Sequence, residues 1–193
     1  TKLSQEQVKW LYSQAPVGLL ATALNSVILT AVLWKVVSSW KLTIWLVLSL
    51  AVVWARYGLV LLYRKSPAKD DRLVRWTFWF LIGLLVSGAL MGATAVFLFP
   101  HGSVPHQIFL AFLLGGMVAG ATSAYSVMQK AFLAYSLPIL TPITLRLLSQ
   151  NSNIEIAMGG LLVLFYGIML NTAYRGRKTF IRSIHLRLEK SGL

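Results

Sequence analysis

Cysteine is absent from this 193-residue chain, acidic residues number only five and histidines three. The first absence removes disulfides and thiolate metal sites. The scarcity of carboxylates is felt most in the apolar stretches, where Glu155 alone stands at a boundary. Proton relays and ion-coupled transporters place carboxylates inside the membrane, so this argues against both. His101 and His106 flank Gly102 and Pro105, but two imidazoles fall short of the three or four ligands a metal site needs. No histidine lies deep in an apolar stretch to serve haem, His106 standing only at the edge of one. No cofactor, no metal site and no catalytic constellation is expected, and within its own length the chain is read as no enzyme. Charged residues make up only 12% and hydrophobic residues 57%, with a mean hydropathy of +0.70. Soluble domains carry roughly a quarter charged residues, so the expected solvent is lipid.

What is present is a series of long apolar runs. A hydrocarbon core of about 30 Å requires about 20 helical residues. Runs of that length fall at about 16–37, 42–63, 76–99, 106–126, 131–148 and 155–174. The expectation is an all-α polytopic membrane helical bundle of six transmembrane helices. The fifth run contains Pro138, Pro142 and Arg146 and is expected to be kinked, short or partly re-entrant. The polar start, Thr1 to Gln7, lacks the pattern of a secretory leader.

Lysine and arginine are retained on the cytoplasmic side of membrane proteins. With the amino terminus inside, the inner set is Lys2, Lys9, Arg64, Lys65, Lys69, Arg72, Arg75, Lys130, Arg175, Arg177, Lys178, Arg182, Arg187 and Lys190, fourteen of the eighteen basic residues. Lys35, Lys41 and Arg146 fall outside, and Arg56 lies within a span. Both termini are therefore expected in the cytoplasm. The net charge of +13 then reflects topology and attraction to anionic headgroups of the lipid bilayer. The basic segments lack the aromatic interleaving of a nucleic-acid module, and no nucleic-acid partner is expected.

Three divisions follow. Residues 1–15 carry a capping-box pattern at Ser4 to Gln7, with Val8, Leu11 and Tyr12 at helical spacing, and are expected to form an interfacial amphipathic helix ending at Pro16. Residues 16–174 hold the six spans. Residues 175–193 form a basic cytoplasmic helix in which Ile181, Ile184 and Leu188 share one face. That face suits either the inner leaflet or pairing of two chains ahead of an output domain that this chain lacks.

An ordered set of short motifs carries a resemblance. The run Leu11 to Leu19, the Trp54-Ala55-Arg56-Tyr57 segment, Phe80 to Gly83 with Ser87-Gly88, Leu98-Phe99-Pro100 followed by His106-Gln107, Gly116 to Ala121, and Leu186 to Glu189 together resemble the amino-terminal membrane module of bacterial diguanylate cyclases and sensor histidine kinases. The resemblance implies a sensory or anchoring input in the bacterial inner membrane, with catalysis in a downstream domain.

Among candidate residues Arg56 stands first, because a charge within a span normally faces protein or water. It either snorkels or makes structural hydrogen bonds, or else it binds an anion or carbonyl. Gly88-x-x-x-Gly92 and Gly116-x-x-x-Gly120 let helix backbones approach closely and are expected to pack helices, mostly spans three and four of one chain and less often two chains. Thr122, Ser123, Tyr125 and Ser126, with Tyr135, Ser136, Thr141 and Thr144 near the two prolines, form the densest polar patch. These hydroxyls either satisfy carbonyls freed by proline or line a pocket between spans four, five and six, to which Tyr166 and Asn171 contribute. Trp40, Trp45, Trp76 and Trp79 read as interfacial anchors.

The sequence is read as the sensory input and dimerisation module of a signalling protein, paired as a homodimer or with a partner membrane subunit. A stand-alone subunit of a larger complex and a small transporter are the alternatives.

Overall fold

The computed structural model describes the backbone of residues 2–65, 73–150 and 152–191, and the side chains of 4–65, 73–150 and 152–183. The elements are α1 (Lys2–Leu33), α2 (Ser39–Lys65), α3 (Leu73–Gly92), a single turn α4 (Thr94–Phe97), α5 (Val104–Tyr125), α6 (Gln129–Leu148) and α7 (Asn153–Ser191). Among the described residues there is no strand. Six helical segments are long and apolar enough to cross a membrane, α3 and α4 counting as one from Leu73 to Phe97. The chain has the architecture of a multi-pass helical membrane protein.

Contacts between distant positions fix an up-and-down arrangement. The Gln7 amide donates to the Val127 carbonyl just after α5, and the Tyr12 hydroxyl donates to the Trp76 carbonyl near the start of α3. The start of α1, the start of α3 and the end of α5 therefore share one end of the bundle. At the other end Trp45 Nε1, near the start of α2, donates to the Leu90 carbonyl near the end of α3. Lys9, Arg64, Lys65, Arg75, Lys130 and Arg175 gather at the first end, and Lys35, Lys41 and Arg146 at the second.

Two expectations about helix continuity change. No interfacial helix is set apart at 1–15: α1 runs unbroken through Pro16. Proline removes one backbone donor, but Val8, Leu11, Tyr12 and Ala15 are all buried, and this packing carries the helix across. Ser13 Oγ also donates to the Trp10 carbonyl in the same turn. Likewise α6 is one helix of 20 residues through Pro138 and Pro142, long enough to cross fully.

The real interruption lies at Ala93, between α3 and α4. Side chains cover the carbonyls there: Leu90 receives Trp45 Nε1 at 2.8 Å and Met91 receives Thr94 Oγ1 at 2.6 Å. Unsatisfied backbone groups are expensive in lipid, which explains why a tryptophan read as an interfacial anchor is instead 6% exposed. Trp40 and Trp79 remain exposed.

The core forms around α6, where Phe132, Ile139, Ile143 and Leu147 are fully buried against Leu110, Leu114 and Val118 of α5. Gly88 and Gly92 bring α3 onto α6, not onto span four as expected. A Cβ on Gly88 would lie 2.8 Å from Pro138 Cγ, and one on Gly92 would meet the Pro138 carbonyl. The proline ring fills the groove that the glycines open. Between α1 and α2, Thr22, Ser26 and Thr30 each donate to the carbonyl four residues back, while Ser26 and Ser49 share a 2.7 Å hydroxyl contact. Phe112, Trp54 and Leu164 point outward at 81%, 70% and 66% exposure, an apolar girdle suited to acyl chains.

Candidate functional site: a cavity between α1, α5 and α6

Gly116 and Gly120 behave unlike the glycines of α3. A Cβ at either meets nothing within 4 Å, so the α5 stripe leaves space instead of closing an interface. The space is a cavity of about 270 Å³ lined by Gln14, Gly18, Thr22 and Asn25 of α1, Gly116, Gly120, Ser123 and Tyr125 of α5, and Tyr135 of α6, with Val17, Ala21, Met117, Ala121 and Ala124 as its apolar walls. Gln14, Gly18, Thr22 and Asn25 stand four, four and three positions apart and so lie along one face of α1.

Tyr125 is 3% exposed. Its hydroxyl sits over Gly18, 2.9 Å from where a Cβ would be, and has no hydrogen-bond partner among the described residues. The Tyr135 hydroxyl meets Thr22, and Ser123 Oγ is turned onto the Gly120 carbonyl at 2.8 Å. The side-chain amides of Gln14 and Asn25 also lack hydrogen-bond partners among the described residues. The wall thus offers uncommitted neutral donors and acceptors and no formal charge.

Aromatic rings connect this cavity to the basic end of the bundle. Tyr135 and Tyr125 stand 5.6 Å apart, Tyr125 and Phe80 6.2 Å, Phe80 and Tyr12 5.0 Å, and Tyr12 stacks on Tyr63 at 3.9 Å. The series touches α6, α5, α3, α1 and α2 in turn. Arg56 lies beside it, 7% exposed, in a tight space with Ala15, Leu19, Leu59, Val60 and Phe80. Its Nη1 donates to Ser87 Oγ at 3.0 Å. It is buried and bonded across α2 and α3, the structural alternative to snorkelling, and it does not line the cavity.

The polar patch read from the sequence divides three ways. Ser123, Tyr125 and Tyr135 line the cavity. Thr122 and Ser126 face α7: Thr122 Oγ1 donates to the Val118 carbonyl and lies 3.5 Å from Met169 Sδ, and Ser126 Oγ packs at Gly176. Thr141 and Asn171 are exposed and do not line this cavity. The cavity opens toward α1, and on the α6–α7 side Ser136 and Tyr166 share a 3.3 Å hydroxyl contact. The α1 contributors are not among the residues expected from the sequence, although the polar Gln14, Thr22 and Asn25 recurring on one helical face are a sequence signal.

At the opposite end, Arg146 donates to His101 Nε2 at 3.0 Å and lies over the Phe99 ring. His106 is taken by Ser103 at 2.6 Å. Among the described residues no group of three or more potential metal ligands occurs. No protein-family model, curated protein or solved structure matches the chain.

Proposed function

We propose that this chain is the membrane-embedded sensory input and dimerisation module of a bacterial signal-transduction protein. It sits in the cytoplasmic membrane with both ends inside, and α7 leads to a diguanylate cyclase or histidine kinase output domain. The observation that carries this reading is α7 itself, one unbroken helix of 39 residues. It lies on α5 and α6, two of the helices that line the cavity. Gly176 holds it against Ser126, and Phe180 meets Trp10 edge-on at 5.7 Å. A shift of an ångström or two in α5 or α6, a typical switching movement, is transmitted along such a helix to whatever follows it. The resemblance of the motifs to the input modules of cyclases and kinases supports the same reading.

The side chains of Ile184 and Leu188 lie outside the described residues, and Ile181 is half-buried. Single cysteines introduced from 175 to 191 test the dimer. Crosslinks in native membranes are expected at every third or fourth position. A chain that gives no crosslink at any position contradicts pairing through α7.

The second reading, a subunit of a larger membrane complex, is favoured by an apolar groove of about 470 Å³ between α5 and α7, lined by Ile108, Phe112, Met158, Leu161 and Phe165 among others. Co-purification of a stoichiometric second membrane protein would favour it.

A further inference from the structure

We propose that the α1–α5–α6 cavity binds an uncharged, membrane-soluble amphiphile through a hydroxyl or carbonyl oxygen. This goes beyond the signalling reading and does not depend on it. Polar groups at membrane depth must find partners, because lipid offers none. Three cavity groups are uncommitted among the described residues: the hydroxyl of Tyr125, a residue only 3% exposed, and the amides of the half-buried Gln14 and Asn25. Phenol and carboxamide together supply donors and acceptors, so the wall can take a hydroxyl, which donates and accepts, or a carbonyl oxygen, which only accepts. The remaining wall, with Val17, Ala21, Met117 and Ala124, suits an apolar body.

Charge selects further. An anion would lack a cation in the wall, since Arg56 is tied to Ser87 outside it. A cation would lack a carboxylate in the wall. Gln14 and Asn25 stand eleven positions apart, about 16 Å along a helix, so the site is elongated along α1. About 270 Å³ is close to the lower limit of ordinary ligand pockets, about 300 Å³, and fits a single slender chain. Alkanols and alkyl quinones both present this chemistry.

The test uses the purified chain in nanodiscs with a diazirine-bearing dodecanol, its carboxylate analogue and its trimethylammonium analogue, with crosslinks mapped by mass spectrometry. The alcohol is expected to label residues 14–25 and 116–125 at least tenfold more than either ion. Unlabelled dodecanol and a decyl benzoquinone should both displace it, and whichever acts at the lower concentration identifies the source. Gly120→Leu fills the cavity and should abolish labelling there, whereas Gly58→Leu, also at an open position, should not. Asn25→Leu and Tyr125→Phe keep the helix positions and should each weaken labelling several-fold. Equal labelling by the ionic analogues, or labelling unchanged in all three cavity variants, overturns the proposal.

Discussion

Arg56 Nη1 donates to Ser87 Oγ across 3.0 Å, and the Arg56 stem occupies the place a side chain would take at Gly83, with its Cγ 3.2 Å from a Cβ there. One guanidinium thus joins α2 to α3 and fills the notch that a glycine leaves. Removing it leaves a hydroxyl without its donor and a void beside Phe80. Arg56→Leu is expected to destabilise the purified protein by about 1–3 kcal/mol. Arg56→Lys loses the planar fork and should recover part of that loss. Thermal unfolding in detergent, followed by the loss of monodisperse protein, checks the order wild type, Lys, Leu.

The two glycine pairs should respond oppositely to alanine. Gly92→Ala drives a methyl into the Pro138 carbonyl, a backbone atom that cannot rotate away, and should cost about 1–3 kcal/mol as overpacking does. Gly116→Ala and Gly120→Ala enter open space and gain up to about 1 kcal/mol of helix propensity. Melting temperatures of the three single variants make the comparison.

His101 and Arg146 tie the loop after α4 to the end of α6. Arginine can only donate, so His101 Nε2, 3.0 Å away, accepts, and the Phe99 ring lies against the guanidinium. A double-mutant cycle should give a coupling of about 0.5–1.5 kcal/mol. His101→Gln keeps an acceptor and should retain most of that coupling, whereas His101→Leu should lose it; melting temperatures of the single and double variants make the comparison.

Topology is tested separately. Fourteen basic residues assigned to one side should hold both ends of the chain in the cytoplasm. Reporters active only in the cytoplasm should work at both termini, and one active only in the periplasm should work at Gly102. Periplasmic activity at either terminus contradicts the assignment.

The helical architecture was legible because hydropathy marks the segments suited to lipid, and the six apolar runs fall on six helical segments long and apolar enough to cross a membrane. Pro16, Pro138 and Pro142 misled, since proline reports a missing local donor while tertiary packing of Tyr12, Ala15 and Ile139 decides whether the helix continues. Small residues announced close approach but not with which neighbour. Gly88 and Gly92 met α6 across more than forty residues of sequence, and Gly116 and Gly120 met a void. Asn171 and Tyr166 looked like partners five positions apart, yet that spacing turns them to different sides of α7, one exposed and one against Ser136. The α1 face of Gln14, Gly18, Thr22 and Asn25 was readable by period and became meaningful only once α5 was seen opposite it.

The most direct test of the signalling account joins the chain to a diguanylate cyclase domain and inserts one to four alanines after Ser183 in α7. Each residue turns a helix by about 100°, so a signal carried by helix orientation must vary with that phase. The account predicts cyclase output that changes most with one and two inserted residues and returns toward the parent value with three and four. Output that is the same for all four insertions would contradict it.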